Sequence, residues 1–301
     1  MLSLFHQTGW AALLQKLNNS TIMKLSIITI NRNNASGLEK TMRSVISQNT
    51  QEFEYVVVDG GSSDESVEVI KKYASQREIV WVSERDNGIY NGMNKGIRMS
   101  SGEYIMLLNS GDYLTDSLVV DGLLKSLELE HYPSVLYGNI IKIWPDGKVL
   151  RDQQLGGNIT FFSFYDGTLN PDGTLIRRSL FEQYGYFDEE MRICSDWAWL
   201  MTVLALQGET AKHCNIDTIF FDMTGVSESG DKSRNIIQSE RRHVLEKTLP
   251  ATILADYDKY GIDIRMMQRI RRHKWAYGIV YFIERMLFKM EKRKVKRGGR
   301  L

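Results

Sequence analysis

The sequence predicts an α/β fold in which a mostly parallel sheet is flanked by helices. Through the first third of the chain, short apolar runs rich in β-branched residues alternate with amphipathic helical segments. Small polar residues follow each apolar run, and a carboxylate follows the second, third and fourth. This alternation implies right-handed crossovers between parallel strands, so the carboxyl ends of the strands share one edge of the sheet. A ligand site is expected at that edge.

Four strands are predicted from apolar runs at 25–30, 53–58, 79–83 and 104–108. The helices between them are predicted from Ser36, from Glu65 and over 89–97, where apolar residues recur at every fourth position. The polar residues that follow the strands are Asn31, Asp59, Asp86 and Asp112. Because the strands are parallel, four separate loops are expected to converge on one site.

The organising stretch is 107–112, where an apolar run ends in Asn109, Ser110, Gly111 and Asp112. Bulky residues return immediately afterwards, which is typical of a buried strand that opens into a cleft. Asp112 would be a hard oxygen ligand, suited to Mg²⁺ or Mn²⁺ carrying a phosphorylated substrate. A simple turn-forming aspartate is the alternative.

The second half of the chain is predicted to be mixed. A helix after Thr115 leads to a strand over 135–144, and Pro145, Asp146 and Gly147 form the turn of a hairpin with 148–151. Residues 155–170 have no clear period. A helix from Ser179, an apolar helix over 197–206 and a strand over 218–223 follow, and the polar segment 224–235 is expected to be a mobile loop.

Charge divides the chain unequally. The 301 residues carry a net charge of +1, but residues 265–301 hold 13 basic and 2 acidic side chains while the remainder carries −10. We predict an N-terminal extension at 1–22, a main domain at 23–230 and a basic helical segment at 231–301. Cys194 and Cys214 form no metal-ligand pattern, which favours a reducing cytoplasm. No apolar run reaches the roughly 18 residues that a spanning helix needs.

Phosphate-binding motifs of two common classes are absent from the sequence. No Gly-x-Gly-x-x-Gly follows the first strand, and no Gly-Lys-Ser/Thr loop occurs. These absences argue against dinucleotide dehydrogenases and phosphate-loop NTPases.

Five fragments, in this order and spacing, carry a family resemblance: Ser26-Ile27-Ile28-Thr29, Val57-Val58-Asp59-Gly60-Gly61-Ser62-Ser63-Asp64, the run 83–96 around Asp86-Asn87-Gly88, Leu108-Asn109-Ser110-Gly111-Asp112, and Ser195-Asp196-Trp197. Together they resemble the family 2 inverting glycosyltransferases of GT-A fold, the Rossmann-like architecture of nucleotide-diphospho-sugar transferases. The similarity is strongest to bacterial members of the colanic-acid and O-antigen type. It covers residues 23 to 227.

The resemblance implies a nucleotide-sugar site, with a UDP- or GDP-linked donor, formed by Thr29, Asn31, Asp59, Asp86, Lys95 and Asn109. Asp59 would accept hydrogen bonds from the base, and the glycines beside it permit close approach. A turn-stabilising role for Asp59 and a solvated Lys95 are the structural alternatives. Ser62 and Glu65 fit a helix capping box, and Ser63 or Asp64 could cap instead.

The same resemblance implies the catalytic parts. Asp196 is the expected general base, because a carboxylate in the first turn of an apolar helix can stay ionised yet basic, although simple capping would also explain it. Gly225, Val226 and Ser227 resemble a loop that closes over diphosphate and acceptor. The metal motif keeps only Asp112. At 170–174, the sequence Asn-Pro-Asp-Gly-Thr replaces the His-Gln pair common in relatives, which suggests a different acceptor.

The apolar stretch 275–288 lies between basic clusters, as in a helix that lies on an anionic membrane surface. A helix packed on the main domain is the alternative, and nucleic acid is a poorer fit because no binding motif is present. The expected protein is a cytoplasmic enzyme, peripheral on the inner face of the cell membrane. It would move a sugar to a lipid-linked or growing glycan. A sugar-phosphate nucleotidyltransferase and a non-catalytic nucleotide-sugar or membrane-binding module are the rival hypotheses.

Overall fold

The computed structural model describes residues 24–155, 159–225 and 230–298. The strands in this part of the chain are β1 (Leu25–Asn31), β2 (Glu54–Asp59), β3 (Val80–Ser83), β4 (Tyr104–Leu107), β5 (Tyr113–Leu114), β6 (Val135–Ile143), β7 (Val149–Asp152), β8 (Leu175–Arg177) and β9 (Ala211–Asp222). The helices are α1 (Ala35–Ile46), α2 (Ser66–Ala74), α3 (Ile89–Met99), α4 (Val119–Leu129), α5 (Phe161–Asp166), α6 (Ser179–Tyr184), α7 (Ser195–Leu200), α8 (Asp231–Thr248), α9 (Ala251–Arg271) and α10 (Lys274–Gly298). The backbone widens into a π-helical turn at Met201–Leu206, directly after α7.

The sheet has a parallel half and a mixed half. Its strand order is β3-β2-β1-β4-β8-β6-β9-β5, with β7 paired to β6. The first four strands are parallel, as the alternating sequence predicts. Strand β8 runs antiparallel to both β4 and β6, so the direction changes in the middle of the sheet. The predicted α/β fold with a mostly parallel sheet flanked by helices is confirmed.

Strand β1 lies at the centre of the parallel half because both of its faces are apolar. All seven of its residues are buried. Its alternate residues Leu25 and Ile27 belong to a core that continues through Leu38 and Met42 of α1 and Met106 of β4. Burial on both faces explains why apolar residues occupy both alternating positions of the strand, with Ser26 and Thr29 also buried.

Helix α1 positions the turn after β4. The Thr41 hydroxyl donates to the backbone oxygen of Asp112 over 2.6 Å and accepts from the Gly111 amide over 3.0 Å. Gly111 has a φ of 111°, a backbone conformation that favours glycine. A single buried side chain on α1 therefore holds the turn that presents Asp112.

Several predicted elements are confirmed and others are corrected. The hairpin of β6 and β7 forms around 145–147, as predicted. The loop expected over 224–235 is wrong from Asp231 onward, where the 18-residue α8 begins. Helix α5 and strands β5 and β8 were not predicted, because each spans six residues or fewer and is defined by its tertiary partners, as in the pairing of Tyr113 with Phe220.

The capping-box prediction for α2 is also wrong. The Ser62 hydroxyl donates to Asp59 and not to the helix. Asp64 takes the capping role, since its Oδ1 accepts from the Ser66 amide at 3.2 Å and from the Ser66 hydroxyl at 2.6 Å. The Ser62 hydroxyl therefore bonds to Asp59 at the end of β2 instead of capping the helix.

The chain divides into two compact units, Met1–Arg242 and His243–Leu301. The second unit contains α9 and α10. Ten large apolar side chains of α10 are between 37% and 72% exposed: Trp275, Tyr277, Ile279, Tyr281, Phe282, Ile283, Met286, Leu287, Phe288 and Met290. In the described ranges, no helix combines the length and apolarity that crossing a membrane requires.

Candidate active site

Asp59 ends β2 and is fully buried. Its Oδ1 accepts from Asn31 Nδ2 at 2.8 Å and from the Ser62 hydroxyl at 2.5 Å, and its Oδ2 accepts from the Ser62 amide at 2.9 Å and from the Ser83 hydroxyl at 2.7 Å. Burial alone would raise the pKa of Asp59, but the hydrogen bonds from Ser62, Ser83 and Asn31 outweigh it and lower the pKa. The carboxylate therefore ties together the ends of β1, β2 and β3, and its predicted contact with a base stays a prediction.

Asn31 offers the open acceptor in this region. Its side-chain amide donates to Asp59, while Asn31 Oδ1 is buried and has no hydrogen-bond partner among the described residues. A buried amide oxygen without a donor is costly unless a ligand supplies one. The other predicted β1 residue, Thr29, is fully buried, and its hydroxyl pairs with the Tyr55 hydroxyl at 3.1 Å.

Asp86 reaches the same edge from the loop after β3. A Cβ atom on Gly60 would lie 2.3 Å from Asp86 Oδ2, so only glycine allows this approach. Arg32 lies 3.5 Å from Asp86 Oδ1. The structure thus brings the loops after β1, β2 and β3 together as predicted. Lys95 instead forms an ion pair with Glu84 at 2.7 Å.

Asp112 is 5% exposed, and its Oδ1 accepts from the Asp222 amide at 2.7 Å. Burial raises its pKa, and the backbone hydrogen bond from Asp222 only partly opposes that shift. An acid in this setting ionises readily only if a cation or further donors arrive.

Asp172, which was not predicted as a site residue, lies beside Asp112. It is 2% exposed, and its Oδ2 accepts from Asn109 Nδ2 at 2.8 Å. Asp172 and Asp112 interact electrostatically, and each affects the pKa of the other. Burial and then the charge of Asp112 raise the pKa of Asp172 well above its ordinary value. The signal available in the sequence was the departure at 170–174, where a carboxylate stands in place of a neutral pair.

Asp196 begins the second cluster. Its Oδ1 accepts from the Tyr90 hydroxyl at 2.7 Å, and the same hydroxyl lies 2.5 Å from Ile193 O and accepts from the Ser195 amide at 3.1 Å. Burial raises the pKa of Asp196, and the hydrogen bond from Tyr90 opposes that rise. Tyr90 was not predicted, although it lies within the family-like run 83–96.

A cavity of about 210 Å³ adjoins Asp196. Its lining includes Lys142, Asp152, Asn170, Trp197 and Arg241. The Arg241 guanidinium lies 4.8 Å from the centre of the Trp197 ring, and its Nε is buried without a hydrogen-bond partner. This space can therefore hold a polar molecule against the Asp196 carboxylate.

Asp172 connects the two clusters. The charges of both Asp112 and Asp196 raise its pKa. Of the predicted closing loop, Gly225 is exposed after β9, and Val226 and Ser227 lie outside the described residues. The roles assigned to Asp112 and Asp196 stay predictions.

The parallel half of the sheet ends in polar loops that hold Asp59 and Asp86, and the mixed half adds Asp112, Asp172 and Asp196 from its loops and from α7. This sheet with its flanking helices is the GT-A-type fold of glycosyltransferases. The particular family follows from the sequence of the same region. The chain belongs to glycosyl transferase family 2, whose sequence profile matches residues 26–201.

Two relatives illustrate the range of the family. The chain is 28% identical over 219 residues to an uncharacterized glycosyltransferase of Mycobacterium tuberculosis, a match that covers 69% of this chain and 79% of the relative. It is 26% identical over 199 residues to the poly-beta-1,6-N-acetyl-D-glucosamine synthase of Staphylococcus epidermidis, covering 60% of this chain and 45% of the synthase.

Solved structures share the fold. S. aureus TarS 1–349 in complex with UDP-GlcNAc has a TM-score of 0.60 at 19% identity, over 76% of this chain and 69% of that one. The mannosyltransferase PcManGT from Pyrobaculum calidifontis, in complex with GDP-Man and Mn²⁺, has a TM-score of 0.51 at 16% identity, over 64% of this chain and 55% of that one. The chain spans only 60% of a further TarS 1–349 structure. At these identities, the likeness is one of fold.

Proposed function

We propose that the protein transfers a sugar, with inversion, from a nucleotide-diphosphate donor to a hydroxyl group of a lipid-linked or growing polysaccharide. The observation that carries this proposal is the Asp196 carboxylate, held by Tyr90 at the wall of a cavity and adjacent to the Asp112 and Asp172 pair. Glycosyl transfer needs a base that deprotonates the acceptor and a group that stabilises the departing diphosphate. We assign the first role to Asp196 and the second to the region of Asp112 and Asp172.

Several observations support a nucleotide-sugar donor at the parallel edge. Asn31 Oδ1 lacks a donor, and a nucleobase N–H would supply one. TarS has been crystallised with UDP-GlcNAc and PcManGT with GDP-Man, both in the same fold. Asp59 and Asp86 give this edge its acidic character, and we assign them to positioning the base and ribose.

The residues around Asp112 suit a divalent cation. No ready-made cluster of three His, Cys, Asp or Glu side chains is found in the described part of the chain. Even so, Asn109 Oδ1 is buried, and no residue in the described ranges bonds to it, while Asn109 Nδ2 donates to Asp172. Oxygen donors of this kind match the preference of Mg²⁺ and Mn²⁺. When bound, such a cation would offset negative charge on the diphosphate.

The chain's own residues account for the remaining steps. Asp196 would remove the proton from the acceptor hydroxyl as its oxygen attacks the anomeric carbon from the face opposite the nucleotide. The bond from that carbon to the diphosphate oxygen breaks as the new bond forms. Tyr90 orients the Asp196 carboxylate, and the cavity holds the acceptor within reach.

A thermal-shift screen of UDP, GDP and dTDP, with and without Mn²⁺, tests the donor site on the full chain. At least one nucleotide should raise the melting temperature, and Mn²⁺ should enlarge the shift. Asn31→Ala should reduce that shift, whereas Asn87→Ala, at an exposed position near the same edge, should keep it. Stabilisation by none of the nucleotides would contradict the donor assignment.

The second unit supports the membrane part of the proposal. Its exposed apolar side chains on α10 are flanked by Arg271, Arg272 and Lys274 on one side and by 292–297 on the other. Exposed aromatic residues with nearby cations suit an anionic lipid surface, where each cation contributes about 1 kcal/mol.

Vesicle co-sedimentation tests this surface. The full chain should bind vesicles containing phosphatidylglycerol, and binding should weaken in high salt and with pure phosphatidylcholine. The double variant Trp275→Ser and Phe282→Ser should bind less, while Leu129→Ser, which removes an equally exposed apolar side chain from α4, should not change binding. Equal binding by all three proteins would refute the assignment.

A further inference from the structure

Asp172 is a buried carboxylate that receives fewer hydrogen bonds than its two oxygens can accept. It is 2% exposed, and among the described residues only Asn109 Nδ2 donates to it, at Oδ2. No partner reaches its Oδ1, and the amide oxygen of Asn109 also lacks one. Two buried oxygens without partners therefore lie next to the Asp112 carboxyl group.

The backbone fixes Asp172 in this position. Asp172 forms a parallel bridge with Leu107, and the Gly173 amide donates to Leu107 O at 2.9 Å. The Asp172 amide donates to Asn170 Oδ1 at 2.9 Å. The loop after α5 thereby continues the sheet beside the end of β4. The side chain contributes little to this arrangement, so its burial requires another explanation.

Paired buried carboxyl groups repel one another when both are ionised, unless a proton or a cation lies between them. Asp112 is the only carboxylate at 109–112, and a single carboxylate is a poor cation site by itself. Asp172 brings a second carboxylate to the same point from a loop 60 residues further along the chain.

We propose that Asp172 is the second carboxylate ligand of the divalent cation bound at Asp112, and that Asn109 Oδ1 adds a neutral oxygen ligand. This inference rests on the proposed function, because the cation is the one expected to accompany the donor diphosphate. Two carboxylates and an amide oxygen form a hard oxygen set, and waters or diphosphate oxygens can complete an octahedral shell. Asp172 would thus supply, from its own loop, the second carboxylate that 109–112 does not contain.

Electron paramagnetic resonance of free Mn²⁺, titrated with the full chain, measures this site without any turnover. The proteins are the unmodified chain, Asp172→Asn, Asp112→Asn and Asp146→Asn, each with and without UDP and GDP. Asp146→Asn removes the same charge from the exposed hairpin turn and should leave Mn²⁺ affinity unchanged. Asp172→Asn and Asp112→Asn should each weaken Mn²⁺ binding by more than ~10-fold, since loss of even an outer-sphere partner reaches that size.

Unaltered Mn²⁺ affinity in Asp172→Asn would overturn the inference, and so would an unmodified chain that takes up no Mn²⁺. Asp172→Ser replaces the asparagine variant if that protein does not fold. Nucleotide binding is followed separately by thermal shift without metal. If a nucleotide binds while Asp172→Asn keeps its Mn²⁺ affinity, only the role of Asp172 fails; if no nucleotide binds under any condition, the donor assignment fails as well.

Discussion

Asp59 and Asp172 are buried carboxylates at opposite halves of one sheet, and their surroundings differ. Asp59, in the parallel half, receives hydrogen bonds at both oxygens from Asn31, Ser62 and Ser83. Asp172, in the mixed half, receives one from Asn109. Hydrogen bonds that outweigh burial lower the pKa of Asp59, whereas burial and Asp112 raise that of Asp172.

Asp59 therefore stabilises the fold, whereas Asp172 can still bind a ligand. A carboxylate has room for about four hydrogen bonds, and Asp59 has filled that room with protein donors. Asp172 and its neighbours Asp112 and Asp196 have not. The carboxylate of the parallel half therefore stabilises the fold. Those of the mixed half have acceptor positions left for the proposed cation and substrate.

The largest effect is expected from Asp196→Asn, which removes the proposed general base in the mixed half. Turnover should fall by ~10²- to 10⁴-fold, the usual contribution of a positioned base, while the donor should still bind. Nucleotide release from the donor identified by the thermal-shift screen measures turnover. Titration of the same nucleotide measures binding.

Asp146→Asn is the matched control, since it makes the same substitution on the exposed hairpin and should keep full turnover. In a non-catalytic binding module, neither Asp196→Asn nor Asp146→Asn would change the measured function. Undiminished turnover in Asp196→Asn would therefore assign the base to another carboxylate.

The next effect concerns stability and tests the comparison directly. Asp59→Asn should lower the free energy of unfolding by ~2–4 kcal/mol, because an amide nitrogen would replace an acceptor of buried hydrogen bonds. Asp172→Asn should be close to neutral without metal, since an amide resembles the protonated acid that the raised pKa favours. Urea denaturation of both variants at neutral pH measures the contrast. Equal losses would show that the two sites do not differ as described.

The contribution of Asp59 should also depend on pH in a defined direction. Its pKa is lower in the folded protein than its ordinary value of 3.8, so the unfolded chain binds more protons between the two values. The stabilisation is complete above the unfolded pKa and is lost as pH falls through the folded one. The gap in stability between the unmodified chain and Asp59→Asn should therefore narrow below about pH 4.

Sequence reasoning was most successful in the parallel half, where each strand is a continuous apolar run and its polar loop follows at once. Asp59 and Asp86 could be placed at strand ends there because each apolar run changes abruptly to polar residues. Asp172 and Tyr90 could not, because their roles depend on partners 60 and 106 positions away. Strand β5 was missed for the same reason, since its two residues are a strand only by pairing with β9.

The smallest effect, and the most specific, is expected from Tyr90→Phe. Tyr90 donates to Asp196 and accepts from the Ser195 amide, so it orients the carboxylate of the proposed base. Loss of this hydrogen bond should reduce turnover by about tenfold, or ~1.4 kcal/mol. Gel filtration and thermal unfolding would establish that the variant folds.

The pH profile distinguishes a positioning role from a packing role. Asp196 acts as a base only when ionised, so turnover should rise with pH through its pKa, which burial raises above 3.8. The Tyr90 hydrogen bond opposes that rise, and its removal should move the acidic limb of the profile to higher pH. A packing defect would lower the whole profile without moving the limb. An unshifted limb in Tyr90→Phe would therefore separate Tyr90 from the protonation of Asp196, even if the rate fell as expected.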